Sequence, residues 1–173
     1  VSKKVINEAK NLKYILSCRG GVENIDMEAA KEKGVKVINC PAHNAYAVAE
    51  YTIGMILNEL RNITRACMAL KSGEWREKYQ NSETLTEVRS QTIGIIGFGT
   101  IGRLVVERLK GFHPTILVND PFADEDKIRE EGCEPVTKEE LLKRSDVVTI
   151  HARINAGDPP IIGKEEFGQM KET

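Results

Sequence analysis

No apolar run in this chain approaches the roughly 20 residues that a membrane-spanning helix needs, which excludes a helical membrane span. Nor is there an excess of positive charge. The 25 Lys and Arg against 26 Asp and Glu leave a formal net charge of −1, so a nucleic-acid surface built on bulk positive charge is excluded. Cysteine is scarce and scattered: Cys18, Cys40, Cys67 and Cys133 form no C-x-x-C pair. That spacing argues against a disulfide framework or a zinc site and for reduced, buried thiols in a cytoplasmic protein. Repeats and low-complexity tracts are absent. What remains is a hydrophobic content of 40% with 29% charged residues, the composition of an ordinary globular protein.

The most informative stretch is Thr92-Ile93-Gly94-Ile95-Ile96-Gly97-Phe98-Gly99-Thr100-Ile101-Gly102. It reads as an apolar strand, a glycine turn and the start of a helix, with Gly97, Gly99 and Gly102 in the pattern G-x-G-x-x-G. Each glycine has a distinct task in a dinucleotide site. Gly97 permits the tight turn, Gly99 lets a pyrophosphate approach the backbone, and Gly102 lets the helix pack on the strand. The free N–H groups at the helix start face the phosphates. A second strand, Thr115 to Asn119, ends in Asp120, about 20 residues on, where a ribose-binding acid is expected. The competing reading is an ordinary strand–helix turn with Asp120 as a helix cap.

Along the chain, 1–11 reads as the end of an amphipathic helix, with Val5, Ile6, Ala9 and Leu12 at helical spacing. Its start in mid-pattern predicts a further segment upstream. Tyr14 to Cys18 reads as a buried strand, Met27 to Lys33 as a helix closed by Gly34, and Val35 to Cys40 as a second strand. One long helix is predicted from Ala45 to Leu70, about 40 Å at 1.5 Å per residue. Its apolar face is Val48, Tyr51, Thr52, Met55, Ile56, Leu60, Ile63, Cys67 and Leu70. Glu74 to Ser90, with the single tryptophan Trp75, reads as a surface crossing. After Asp120 come a helix (Asp124 to Glu131), a short strand (Cys133 to Val136) and a helix opened by the capping box Thr137-Lys138-Glu139-Glu140. A buried strand (Asp146 to Ala152), a loop (Asn155 to Pro160) and a short helix (Lys164 to Met170) follow. Alternating strands and helices predict an α/β fold: an incomplete Rossmann-type doubly wound parallel sheet.

The sequence resembles the D-isomer-specific 2-hydroxyacid dehydrogenases, the family that includes D-3-phosphoglycerate dehydrogenase. The matching stretches are Cys18 to Asp26, Ala30 to Gly34, Val37 to Pro41, Asn44, Ala47 to Glu50, Gly94 to Gly102, Asn119 to Pro121 and Asp146 to Ala152. The resemblance implies that 1–44 end the first segment of a flavodoxin-like substrate domain. It implies that 45–173 begin an NAD-binding domain, opening on a long interdomain helix. It further implies hydride transfer between NAD and a 2-hydroxy acid, and it places the family's catalytic arginine, glutamate and histidine beyond Thr173. No catalytic residue is then expected within the chain, and the chain alone is expected to be inactive.

Site residues follow from the same resemblance. Arg19, Gly20 and Gly21 correspond to the loop whose N–H groups hold the substrate carboxylate. Arg19, in place of a small residue, is either a contact to a second anionic group or simply solvated. Val48 corresponds to a residue near the nicotinamide, against the plainer reading of helix core. Independently of the resemblance, His151 stands with Ala152 and Arg153 at the carboxyl end of a strand, where such sheets bind cofactors, on the adenine or nicotinamide side; the following Asn155 to Pro160 departs from the family's short polar loop. His43 has no catalytic counterpart. Asp120, followed by Pro121 and Phe122 rather than an arginine, implies NAD over NADP. The long helix, broadened by Ile53, Ile56, Leu57 and Leu60, implies a homodimer. Two rival classes remain open: an NAD-sensing binding protein of the co-repressor type, and a methyltransferase, against which the Arg19-Gly20-Gly21 stretch argues.

Overall fold

The computed structural model describes residues 1–74, 79–154 and 157–172. The expectations for Trp75 and for the start of the loop at Asn155 fall outside them. The chain divides into two compact units, Val1–Asn44 and Ala45–Thr173.

In the first unit, α1 (Lys3–Glu8), β1 (Tyr14–Ser17), α2 (Met27–Glu32) and β2 (Lys36–Asn39) follow one another. The two strands pair in parallel, Tyr14 beside Lys36 and Ser17 beside Asn39. Ile6, Ile15, Ile25, Ala29, Ala30 and Val35 form the core. The Asp26 carboxylate caps α2, accepting the Ala29 N–H at 2.9 Å, and Gly34 ends it at φ +70°. The Lys33 ammonium donates to the Asn7 and Ala9 carbonyls at 2.8 and 2.9 Å, capping the end of α1. Two expectations fail here. Val5 faces outward while Ile6 is fully buried. β1 is buried on one face only, with Ile15 and Ser17 inside and Tyr14 and Leu16 exposed. Successive strand side chains point to opposite faces, and the core forms on one of them.

The second unit runs α3 (Ala45–Leu60), α4 (Ile63–Lys71), β3 (Thr92–Ile96), α5 (Thr100–Leu109), β4 (Thr115–Asn119), α6 (Glu125–Glu130), β5 (Glu134–Pro135), α7 (Lys138–Arg144), β6 (Val147–Ile150) and α8 (Lys164–Phe167). Among the described residues it has four strands, all parallel, in the order β5-β4-β3-β6. Ile93, Ile95, Ile116 and Val118 share one core cluster with Val105, Val106 and Leu109 of α5 and Ala49 and Ile56 of α3. Ile96 and Leu117 share another with Leu141 and Leu142 of α7. Helices therefore cover both faces, as in a doubly wound sheet. Gly94 belongs to the α7 face: a Cβ there would lie 2.3 Å from Ser145 Oγ and 2.5 Å from Leu141 Cδ2. β6, expected to be buried, is only half-buried because it pairs on one side alone among the described strands. The cysteines also depart from expectation: all four are free, but only Cys133 is buried. Burial pushes that thiol up to about 11.

The single long helix is two. Asn62 sits between α3 and α4 in the left-handed region, at φ +54°, and is 1% exposed. Its amide donates to the Gln80 carbonyl at 2.8 Å, and its side-chain oxygen accepts from Arg65 at 2.9 Å. Asn58 Oδ1 accepts from both the N–H and the hydroxyl of Thr64, closing the junction. α3 therefore has 16 residues and spans about 24 Å rather than 40 Å. Its buried face also differs from the expected one. Ala45, Ala49 and Ile56 are buried, Ile53, Leu57 and Leu60 pack against the core, and Tyr51 and Met55 are exposed.

Asn62→Ala should cost about 2 kcal/mol or more, from the left-handed backbone and the lost bond to Gln80. Asn62→Gly should recover the backbone part. Urea unfolding of the three proteins measures both; equal stability of the alanine and glycine variants would show that the left-handed turn is not what Asn62 provides.

Candidate functional site

The site is built at the carboxyl end of β3. Gly97 has φ +97°, and its N–H donates to the Asn119 carbonyl at 2.8 Å. A Cβ on Gly97 would stand 2.6 Å from Ala152 N and 2.8 Å from the His151 carbonyl carbon. The glycine is thus needed twice, for its backbone conformation and because the chain leaving β6 lies against it. Gly102 is buried one turn into α5, and a Cβ there would lie 2.1 Å from Gly97 O. Gly99, which caps α5 with no side chain of its own, has nothing within 4 Å of a would-be Cβ. Two glycines are closed by packing and the third faces open space. The N–H groups of Thr100, Ile101 and Gly102 open α5 and have no acceptor within the helix.

Asp120 is brought to this loop. Its Oδ2 accepts the Phe98 N–H at 2.6 Å and its Oδ1 the Phe122 N–H at 2.9 Å. The rival helix-cap reading fails, because Asp124 caps α6, accepting from Asp126 N at 3.0 Å. The Phe98 ring is 2% exposed and part of the core, so what Phe98 offers the loop is its backbone. Thr100 is exposed at the first turn of α5 and Ile101 packs on the core. His151 donates its N–H to Ile96 O at 2.7 Å, and its Nε2 lies 3.0 Å from Thr149 Oγ1. Burial lowers its pKa, leaving a neutral ring at neutral pH. Ala152 is exposed. Val48 stands on α3, half-buried, its carbonyl accepting from Thr52 Oγ1 at 2.9 Å. The structure thus gathers Asp120, His151 and Ala152 around the glycine loop. Val48 makes none of the hydrogen bonds that define it.

Sequence reasoning missed Arg103. Its Nε donates to the Phe98 carbonyl at 3.2 Å, and its guanidinium lies over the Phe98 ring, 5.0 Å from the centroid. An arginine therefore stands at the other end of the residue that Asp120 holds, although none follows Asp120 in sequence. The only signal was its place one residue past the last glycine of the motif. Arg103 lines a cleft of about 590 Å³ together with Gly99, Thr100, Glu107 and Glu131.

In the first unit, the loop at Arg19, Gly20 and Gly21 has its carbonyls engaged. They accept from Cys40 N at 3.1 Å, Asn39 Nδ2 at 2.6 Å and Ser17 Oγ at 3.2 Å, in that order. Among the described residues the N–H groups of Gly20 and Gly21 have no acceptor. Gly21 also leaves room for Glu23, whose carboxylate would collide with a Cβ at 2.1 Å. Arg19 is exposed. His43 is exposed, its Nδ1 3.2 Å from Cys40 O.

A parallel sheet with helices on both faces, a glycine turn at a helix start and an acid at the next strand end define a dinucleotide-binding domain of the Rossmann type. Residues 53–173 match the model of the D-isomer specific 2-hydroxyacid dehydrogenases, NAD binding domain. The chain belongs to that family. It is 40% identical over 175 residues to D-3-phosphoglycerate dehydrogenase of Methanocaldococcus jannaschii, covering 100% of this chain and 33% of that protein. It is 37% identical over 172 residues to hydroxypyruvate reductase of Thermotoga maritima, covering 99% and 54%. Among solved structures, D-lactate dehydrogenase from Aquifex aeolicus, complexed with NAD and lactic acid, superposes with a TM-score of 0.86 at 30% identity, covering 99% of this chain and 50% of that one. The chain spans a third to about half the length of these relatives.

Gly102→Ala and Gly99→Ala should separate packing from access. The first forces a methyl onto Gly97 O and should cost about 3 kcal/mol. The second meets open space at φ −76° and should stay within about 0.5 kcal/mol of the wild type. Denaturant unfolding measures both, and a stable Gly102→Ala protein would contradict the close approach.

Proposed function

We propose that this chain is the NAD-holding part, with an adjoining segment of the substrate domain, of an oxidoreductase that moves a hydride between the nicotinamide and a D-2-hydroxy acid. The observation that carries the reading is Asp120 bonded to the Phe98 N–H of a loop whose Gly99 is sterically open. The free N–H groups of Thr100, Ile101 and Gly102 suit the pyrophosphate. The Asp120 carboxylate retains lone pairs for the ribose hydroxyls. His151 and Ala152, against the floor of Gly97, line the path toward the nicotinamide, with Val48 assigned to the same side by resemblance.

NAD, when bound, supplies the hydride acceptor. The chain's own residues bind and orient it. In the first unit, the carbonyls of Arg19, Gly20 and Gly21 are drawn inward while the N–H groups of Gly20 and Gly21 stay free, an arrangement that suits a substrate carboxylate. Residues 1–44 are read accordingly as substrate domain and 45–173 as cofactor domain of a cytoplasmic enzyme. The D-3-phosphoglycerate, hydroxypyruvate and lactate enzymes similar to it all act on such acids, which supports the substrate class.

Asp120 disfavours a 2′-phosphate by charge, and no ion pair with Arg103 relieves it among the described residues. NADH should bind at least about tenfold tighter than NADPH, roughly 1.4 kcal/mol, in a fluorescence titration. Asp120→Ala should weaken NADH by on the order of 1–3 kcal/mol. Equal or tighter binding of NADPH by the wild type refutes the assignment.

A homodimer is also proposed. Since Ile53, Ile56, Leu57 and Leu60 are committed to the core, the surface of α3 left for a second copy carries Tyr51 and Met55. Light scattering on the full-length protein at micromolar concentration should give twice the chain mass; a monomer argues against pairing.

A further inference from the structure

The glycine loop, Gly97 to Gly102, carries no cationic side chain, yet a pyrophosphate brings two negative charges to it. The start of a helix supplies roughly half a positive charge. Arg103 is the nearest cation in sequence. Side chains on a helix lean toward its N-terminus, and Arg103 does so, reaching back across the first turn to Phe98. Two things follow from that contact. The Phe98–Gly99 peptide is planar and trans, so holding the Phe98 carbonyl toward Arg103 turns the Gly99 N–H the opposite way. Asp120 fixes the preceding N–H, at Phe98, so both peptides flanking Phe98 are pinned. In addition, Nε alone of its nitrogens makes a hydrogen bond among the described residues, and Arg103 lines the same cleft as Gly99 and Thr100.

The acids of that cleft have nearer partners. Glu131 is paired with Lys110 and feels the Arg103 charge only as a lesser influence, and Glu107 lies 3.9 Å from Arg108. Among the described residues Arg103 has no carboxylate within ion-pair distance.

We propose that Arg103 is a further cofactor-positioning residue, which pins the Phe98–Gly99 peptide and places its guanidinium against the 5′-pyrophosphate. The inference rests on the dinucleotide reading above and names a residue that the glycine motif does not contain. It predicts an effect confined to ligands that carry a 5′-phosphate chain. Charge and peptide anchoring separate in two variants. Arg103→Gln removes the cation. Arg103→Lys keeps it but lacks the planar fork that serves Phe98 O and a phosphate at once.

The test is calorimetric titration of this chain and both variants with NADH, ADP-ribose, adenosine and NADPH at two salt concentrations, with melting temperatures alongside. For Arg103→Gln, at least tenfold weaker NADH and ADP-ribose binding is expected, with adenosine changed less than twofold, a shallower salt dependence and a melting temperature lowered by no more than about 4 °C. Arg103→Lys should fall between. Wild-type binding of NADH with unchanged affinity in Arg103→Gln overturns this inference and leaves the dinucleotide reading standing. Equal weakening of adenosine, or loss confined to NADPH, overturns it as well. Failure of the wild type to bind either NADH or ADP-ribose sinks both.

Discussion

The geometry of the second unit depends on how closely α5 approaches the end of β3. With the Gly97 carbonyl standing where a side chain on Gly102 would be, at 2.1 Å from an added Cβ, no other residue permits that approach. Because α5 is drawn in, its first N–H groups end beside the turn rather than over solvent. Gly97 is also hemmed in from the other side by the backbone of His151 and Ala152, with Ala152 N 2.6 Å from an added Cβ. Three parts of the unit, the end of β3, the start of α5 and the chain leaving β6, therefore meet around a single residue without a Cβ. Their order in space is fixed by excluded volume, which tolerates almost no adjustment.

Around that rigid meeting point the electrostatics are spare. Asp120 spends two acceptor sites on the Phe98 and Phe122 N–H groups, which holds it in place and leaves further lone pairs free. Arg103 does the corresponding work on the Phe98 carbonyl. One buried aromatic residue is thus gripped at both backbone ends by opposite charges, with its ring anchored in the core. Such a loop is organised before any ligand arrives, and a preorganised site loses less on binding.

The junction at Asn62 shows how a local conformation redirects a surface. Ending α3 at Leu60 and restarting at Ile63 rotates the second helix relative to the first, so one apolar stripe does not run through both. The core of the second unit takes Ala49, Ile53, Ile56, Leu57 and Leu60, and Tyr51 and Met55 are left outside. The residues that made the helix look broad enough for two partners are the ones that its own sheet requires.

The family, the α/β class, the glycine turn and the acid at the end of β4 were legible in the residues alone. They rest on constraints that act over short stretches: a backbone that must turn within two residues, a helix that must touch the strand just before it, an acid at the end of the next strand. The strands and most helices were legible for the same reason, since their periods and caps are local, as the Thr137 bond to Glu140 N at 3.2 Å shows. What the sequence could not determine were the break at Asn62, the buried face of α3, the exposure of three thiols and the position of Arg103. Each depends on a partner distant in the chain or on which face a neighbouring element covers: Gln80 for Asn62, the β3–β4 core for α3, the Phe98 carbonyl for the Arg103 side chain. An apolar period says that a helix has a buried side. Only the packed neighbours decide which of several adequate stripes that side is, because burial energy depends on the area removed from water and not on which residues supply it.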